Sequence, residues 1–319
     1  MPDGLADRSM LLFLLACSSP APTSDPTPAG PAPATPKKIE VALNWFPEPE
    51  FGGFYDAVVT GKYQEKNLDV TIIPGGPGTP VMEMLAAGRV EVAVGGAEDL
   101  LLRRAKGLDA VAIFPGFQDS PIGLLVHAES GIKTFADIAR HPGTRVAIEP
   151  GSAFQQYLWS SQKWDGVVPM VPTSGSIGPF ASDPNLAQQG YVTSEPCLAR
   201  AKGLAVEFLP ARDAGWNPYE SLVVVRGADK DAPWVAAFRD ASKAGWAHYL
   251  EDPAPANAEI SRINPDMPPD RIGCVTEAQR TYVTGTDGLG VMTAARWTAL
   301  AEELNATGQK VDATGAWVP

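Results

Sequence analysis

Residues 39–73 read IEVALNWFPEPEFGGFYDAVVTGKYQEKNLDVTII. Ile39, Val41, Leu43 and Trp45 alternate with other residues at the two-residue period of a strand. Pro47 and Pro49 end it, because proline removes a backbone donor. Gly53–Lys66 then reads as a helix, with Phe54, Tyr55, Val58, Val59 and Tyr63 towards one face, and Leu68–Ile73 reads as a second strand. Strand, helix and strand at this spacing imply a right-handed parallel crossover.

The alternation continues outward. The Pro-Gly turn Pro74–Pro80 is followed by a helix at Val81–Ala87, a strand at Val90–Val94, a helix at Glu98–Lys106 and a strand at Ala110–Phe114. From Ile122 it restarts. Strands are expected at Gly123–His127, Arg145–Glu149, Val167–Val171, Gly190–Thr193 and Val206–Leu209. Helices are expected at Thr134–Arg140, from Gly151-Ser152 to about Gln162, and at Pro196–Ala201. Ser221–Val225 is a strand leading out, and the remainder is helical, with Thr293 placed to cap a helix to Asn305. The expected architecture is α/β with two lobes, each a mainly parallel sheet flanked by helices. Residues 39–121 and 227–319 form lobe one, and residues 122–226 form lobe two. Crossings near Asp119–Pro121 and Arg226–Asp229 make a hinge, and the cleft receives the carboxyl ends of both sheets, where ligands of open α/β sheets bind.

Composition narrows the function. The 319 residues carry a formal net charge of −12, with 37 Asp+Glu against 25 Lys+Arg, and no basic run exceeds two residues. Binding nucleic acid needs a basic patch or stripe, so nucleic acid is not expected as a partner. An acidic surface suits a soluble exported protein. Hydrophobic residues at 45% support a folded core despite 31 Gly and 31 Pro. The three histidines (His127, His141, His248) are scattered and the cysteines at 17, 197 and 274 lack zinc-site spacing, so neither metal nor cofactor is expected. Cys197 and Cys274 fall in different lobes; a bond between them would lock a moving cleft, and two buried thiols are expected instead. Gly75-Gly76-Pro77-Gly78 lacks the Gly-Lys-Ser/Thr ending of a phosphate loop and reads as a turn.

The N-terminus reads as an address. Met10–Cys17 is MLLFLLAC, and Leu14-Leu15-Ala16-Cys17 resembles the lipobox of bacterial lipoproteins. That resemblance implies a signal peptide over residues 1–16 and lipid on Cys17, with Ser18 after it favouring the outer membrane. Ser18–Lys38 holds seven prolines among Ala, Ser and Thr, a composition that favours an extended tether, so residues 17–38 are expected to hold the domain off a membrane.

Leu43–Tyr55 (LNWFPEPEFGGFY), Gly61-Lys62-Tyr63, Leu68-Asp69-Val70 and Gly88–Val94 together resemble the start of periplasmic substrate-binding proteins of the thiamine-pyrimidine-precursor type. The resemblance implies the two-lobed type II periplasmic binding fold, a small heterocyclic ligand, and an ABC importer permease and ATPase as partners, with no chemistry performed. Family members often carry His six residues after the Trp, where this chain has Phe51. The alternatives are an enzyme like the fungal pyrimidine synthase, whose cysteine-rich motif this chain lacks, or a periplasmic sensory domain.

Ligand contacts are expected at the strand ends. Trp45 offers a flat face for stacking, and Phe51 and Tyr55 wall the same pocket. Asn44 points opposite to Trp45 along the strand. Glu195, after a lobe-two strand, can accept from an exocyclic amine or cap its own helix. Gly96 and Glu98 open a helix whose N–H groups suit an anionic or carbonyl group, as do Gly151-Ser152 in lobe two, with Tyr157 on the first turns. Tyr219 lies near the hinge. Glu48 and Glu50 sit in the cleft-side loop, where solvation is expected rather than contact.

Overall fold

The computed structural model describes residues 35–319. The expected signal peptide, Cys17 and most of the expected tether lie outside the described residues.

Among the described residues, ten strands form two five-stranded sheets. β1 (Lys37–Leu43), β2 (Leu68–Ile73), β3 (Val92–Gly95), β4 (Ala110–Phe117) and β10 (Glu220–Arg226) make the first, in the order β2-β1-β3-β10-β4. β5 (Ile122–His127), β6 (Arg145–Ile148), β7 (Met170–Pro172), β8 (Leu186–Tyr191) and β9 (Val206–Pro210) make the second, in the order β7-β6-β8-β5-β9. Helices in chain order are α1 (Gly52–Val59), α2 (Val81–Ala86), α3 (Ala97–Arg104), α4 (Phe135–Ile138), α5 (Ala153–Gln162), α6 (Gly178–Ser182) and α7 (Glu195–Ala201). The C-terminal helices follow as α8 (Pro233–Glu251), α9 (Ala254–Ile263), α10 (Pro269–Ala278), α11 (Arg280–Thr284) and α12 (Ala294–Ala306).

The sheets are mixed rather than mainly parallel. β1 pairs in parallel with β2 and β3, but β10 runs antiparallel to β3 and β4. In the second sheet β6 pairs in parallel with β7 and β8, while β5 runs antiparallel to β8 and β9. Chain direction explains both reversals. β5 and β10 are the first strands after a crossing, so each starts at the cleft and runs away from it. The other strands end there. β10 belongs to the first sheet, so the return crossing falls before Glu220, not near Arg226.

Strand alternation sorts the core of the first sheet. Ile39, Val41 and Leu43 of β1, with Val92, Val94, Val223 and Val225, face one cluster that holds Phe54, Trp246 and Tyr249. Ala42, Ala93, Ala112 and Val224 face the other cluster, with Leu85, Leu100 and Trp297. On the first side α1 packs closely on α8. A Cβ on Gly53 would come within 2.1 Å of the Trp246 ring, and one on Gly52 within 2.2 Å of the Tyr249 ring. The Gly-Gly pair of the opening motif therefore serves helix packing, and it lets Trp246 meet Phe54 edge-on at 5.7 Å.

α1 ends at Val59 and a short 3₁₀ turn, Gln64–Lys66, replaces the expected continuation. Gly61 (φ +79°) and Asn67 (φ 57°) adopt left-handed conformations that an uninterrupted helix excludes. The Gly75–Gly78 segment is a turn, as read from sequence: the Gly76 N–H donates to Thr79 Oγ1 at 2.8 Å.

Cys197 and Cys274 form a disulfide, with Cα atoms 6.0 Å apart. This corrects the expectation of two thiols. α7, beside β8 and β9 of the second sheet, meets α10 of the C-terminal segment, so the two cysteines face each other across the edge of the cleft. Among the described residues, no helix is long and apolar enough to cross a membrane, and no His/Cys/Asp/Glu group is arranged to hold a metal ion.

Candidate functional site

The strands that end at the cleft enclose a cavity of about 350 Å³. Its first-sheet wall comes from Asn44, Trp45, Glu48 and Glu50 after β1, Phe117 at the end of β4, and Glu220 and Ser221 at the start of β10. Its second-sheet wall comes from Glu149 after β6, Thr173 after β7, Gln189–Tyr191 at the end of β8, and Ser194 and Glu195 where α7 begins. A larger, shallower groove of about 580 Å³ lies by Arg104, Asn305 and Lys310, away from these strand ends.

The β1–α1 loop is built into place. Asn264 Nδ2 donates to the Pro47 carbonyl at 2.8 Å, and the buried Gln279 Nε2 donates to the Pro49 carbonyl at 2.9 Å. Both prolines leave their carbonyls free to accept while offering no N–H. Ser221 Oγ donates to the Glu50 carbonyl and Thr193 Oγ1 to Glu50 Oε2, each at 3.3 Å. Ser221 has φ 45°, a strained conformation for a residue with a side chain, at the start of the reversed strand and on the cavity wall. The crossings are pinned together as well. Asp119 accepts from Arg212 Nη1 at 2.9 Å and Asn217 Nδ2 at 2.8 Å, and the Ser120 N–H donates to Asn217 Oδ1 at 2.8 Å.

Trp45 presents its ring with 39% exposure and meets Phe46 edge-on at 5.4 Å. Asn44 lines the same cavity. The strand stops at Leu43, so the alternation that would have turned Asn44 away no longer applies.

The wall is acidic. Glu48 is 7% exposed, and its nearest cation, Arg271, lies 3.8 Å away. Burial pushes its carboxyl up to about 7, with Arg271 opposing and Glu195 adding to the shift. Burial, then the Glu48 charge, pushes Glu50 up to about 8, against the Thr193 hydrogen bond. Glu220 is raised well above the usual range by burial and by Glu98, Glu50 and Asp99. Burial also raises Glu195, although its carboxylate accepts the Tyr191 N–H at 2.7 Å. Carboxyl groups crowded in a desolvated cleft resist ionising together.

Of the residues expected to touch ligand, the structure brings Trp45 and Glu195 to the cavity. Glu195 is the first residue of α7, and its carboxylate reaches back to the Tyr191 N–H, which braces the turn between β8 and α7. Gly190 has no side chain where a Cβ would come within 2.6 Å of that carboxylate. The other expected residues lie elsewhere. Phe51 and Tyr55 are in the core under α8 and α9, because the loop turns through a 3₁₀ turn, Pro49–Phe51, and points them inward. Gly96 caps α3, but the Ala97 N–H donates to the Tyr219 carbonyl at 3.0 Å and Glu98 folds back over the same end. An anion would find that helix end occupied, with Glu98 itself raised to about 7 by burial. Ser152 Oγ accepts from Gln155 N–H at 3.2 Å and so caps α5. Tyr157 donates to the Ala214 carbonyl at 2.9 Å and lies on Trp216. Tyr219 is buried, its hydroxyl accepts from Thr293 N–H at 3.0 Å, and Arg296 covers its ring at 4.0 Å.

Glu48 and Glu50 are the principal omissions. Their place in a polar loop suggests solvation, yet both line the cavity. The signal was their alternation with two prolines, which stiffens a loop at a strand's carboxyl end. Glu220, Ser221 and Tyr191 carried no local signal.

Two sheets joined by two crossings, with a cavity at their facing carboxyl ends, define the periplasmic-binding-protein fold. The aliphatic sulphonate binding protein SsuA of Escherichia coli has this fold, with a TM-score of 0.68 at 15% identity over 89% of this chain and 93% of its own. The chain belongs to the NMT1/THI5-like family, which matches residues 48–256. Similar proteins include a formylaminopyrimidine-binding protein of Halalkalibacterium halodurans, 23% identical over 260 residues, which span 76% of this chain and 73% of that protein. Another is the riboflavin-binding protein RibY of Chloroflexus aurantiacus, 25% identical over 262 residues, with coverage of 76% and 73%.

Proposed function

We propose that this chain is the extracytoplasmic solute-binding component of an ABC importer. It takes a small heterocycle into the cleft and presents the closed form to a permease and its ATPase. The observation that carries the reading is the cavity itself: both sheets contribute strand ends to it, and Trp45 offers an open aromatic face there. Ligand bound to both walls stabilises the closed arrangement over the open one, which is what a partner can sense. Two relatives named for binding a formylaminopyrimidine and riboflavin support a flat nitrogen heterocycle as the ligand. The chain acts by binding, without catalysing a reaction.

In this reading residues 1–16 direct export, Cys17 carries lipid, residues 17–38 tether the domain to a bacterial membrane facing the periplasm, and the outer membrane is the favoured site. A disulfide between Cys197 and Cys274 suits an oxidising compartment. Cys17→Ser should move the protein to the soluble fraction, and unchanged membrane association would remove the anchor from the reading. The binding function is tested by screening pyrimidines, flavins and related heterocycles for a rise in melting temperature, followed by small-angle scattering at saturation. Compaction with a hit is expected. Superimposable curves with and without it would count against closure.

A further inference from the structure

The cavity wall combines an open indole face with carboxylates and lacks cations of its own. Glu48, Glu50, Glu149, Glu195 and Glu220 all line it, and the lining holds no Lys, Arg or His. A row of acids on a protein surface is ordinarily just solvated. Here Glu48 is 7% exposed and lines the cavity, and among the described residues its carboxylate accepts no hydrogen bond. Arg271, on α10, reaches it only at 3.8 Å. A buried carboxylate left this way is costly unless a charge or donor arrives to meet it.

The acids are held, not left to swing outward. The Glu50 backbone is tied by Ser221 and its side chain by Thr193. Glu195 is fixed by the Tyr191 N–H with its remaining acceptor capacity available. Glu220 sits at the start of β10, beside the strained Ser221. The acids approach from the β1–α1 loop, from α7 and from β10, so they surround a ligand instead of flanking one edge. Trp45 adds an aromatic face, and a cation over an indole gains attraction from the ring quadrupole that a neutral ring does not. A cation in the cleft would favour the ionised carboxylates that the empty wall resists, whereas an anionic ligand would find no cation on the wall and would oppose their ionisation.

We propose that the cleft takes a flat nitrogen heterocycle carrying a positive charge, held by the Glu48, Glu50, Glu195 and Glu220 carboxylates and stacked on Trp45. This rests on the solute-binding reading and names the charge class of its ligand. The net charge of −12 acts in the same direction at longer range, drawing cations towards the cleft.

The test uses the mature chain and matched probes, measured by calorimetry and Trp fluorescence at fixed ionic strength. Thiamine and 1-methylnicotinamide supply the cations, 4-amino-5-hydroxymethyl-2-methylpyrimidine and nicotinamide the neutral rings, and nicotinate and pyridine-3-sulfonate the anions. At least one cation should bind at least about tenfold tighter than its neutral counterpart, and the anions weakest. Glu50→Gln, close to isosteric, should cut cation affinity at least about tenfold without lowering the melting temperature. If a neutral or anionic probe binds as tightly as the best cation, or binds when no cation does, the charge assignment fails while the solute-binding reading stands. If no probe of any charge binds, the heterocycle reading itself fails and the charge assignment goes with it.

Discussion

The Cys197–Cys274 bond ties α7 to α10 across the edge of the cleft, so breaking it tests stability and hinge motion together. The two cysteines are 77 residues apart in sequence. Cross-linking a loop of that length removes denatured-state entropy equivalent to about 4–5 kcal/mol at 25 °C on the chain-entropy account. For a chain of this size that corresponds to a fall of roughly 7 °C in melting temperature on losing the bond. Cys197 is itself buried against the first-sheet core and Cys274 is half-buried, so the double variant Cys197→Ser/Cys274→Ser adds the burial of a hydroxyl at 197. Cys197→Ala/Cys274→Ala avoids that and is the better comparison. The assay is urea unfolding and thermal melting of wild-type protein with and without reductant, alongside the double-Ala variant, with thiol alkylation to confirm the bond. Without the bond, α7 is released from α10, and the ligand-free protein should also show a larger radius of gyration by scattering. If both thiols alkylate in unreduced native protein, the bond does not form. If reduction leaves the unfolding midpoint unchanged, the loop-entropy reasoning is refuted.

The remaining predictions concern the wall and the core. Glu48, Glu50 and Glu98 have folded-state values raised from about 4.5 to about 7, 8 and 7. The stability they contribute is therefore present below about pH 4.5 and lost as pH rises through 7–8. The melting temperature of ligand-free protein should fall between pH 5 and 8.5, and Glu50→Gln should melt higher than wild type at pH 8.5; equal melting there would contradict the raised carboxyl. Trp45→Ala should weaken binding of any hit by about 1–3 kcal/mol, roughly 5- to 150-fold, and wild-type fluorescence should respond to that ligand. A variant with full affinity would take Trp45 off the binding surface. Gly53→Ala forces a Cβ to within 2.1 Å of Trp246 and should destabilise by about 1–3 kcal/mol or more in urea titration. An unchanged midpoint would show that the α1–α8 contact is loose.

Much of the scaffold was legible in sequence because strand patterning is local. Ile39, Val41 and Leu43 alternate whatever their partners, so the strand and its core face follow from spacing two residues apart. The site was only partly legible. Trp45 and Glu195 stand at strand ends that sequence alone places at the cleft. Phe51 and Tyr55 share the same stretch, but a single 3₁₀ turn sends them into the core, and no periodicity marks that turn. Ser152 and Glu98 have the right residue types for a helix N-terminus, but the Ser152 side chain is taken up in capping α5 and Glu98 folds back over the start of α3.

The chain's pattern by itself determined two α/β lobes with a cleft between them, because hydrophobic period and proline stops act over a few residues. Tertiary structure alone decided what the cleft is made of. The carboxylates at 48, 50, 195 and 220 are spread across the chain, and only the two crossings bring them to one cavity. Tertiary structure also reversed β5 and β10, since a strand entering from the cleft has to run away from it. It paired Cys197 with Cys274, whose 77-residue separation carries no local signal. Contacts between distant segments depend on how the elements pack, which short-range spacing does not encode.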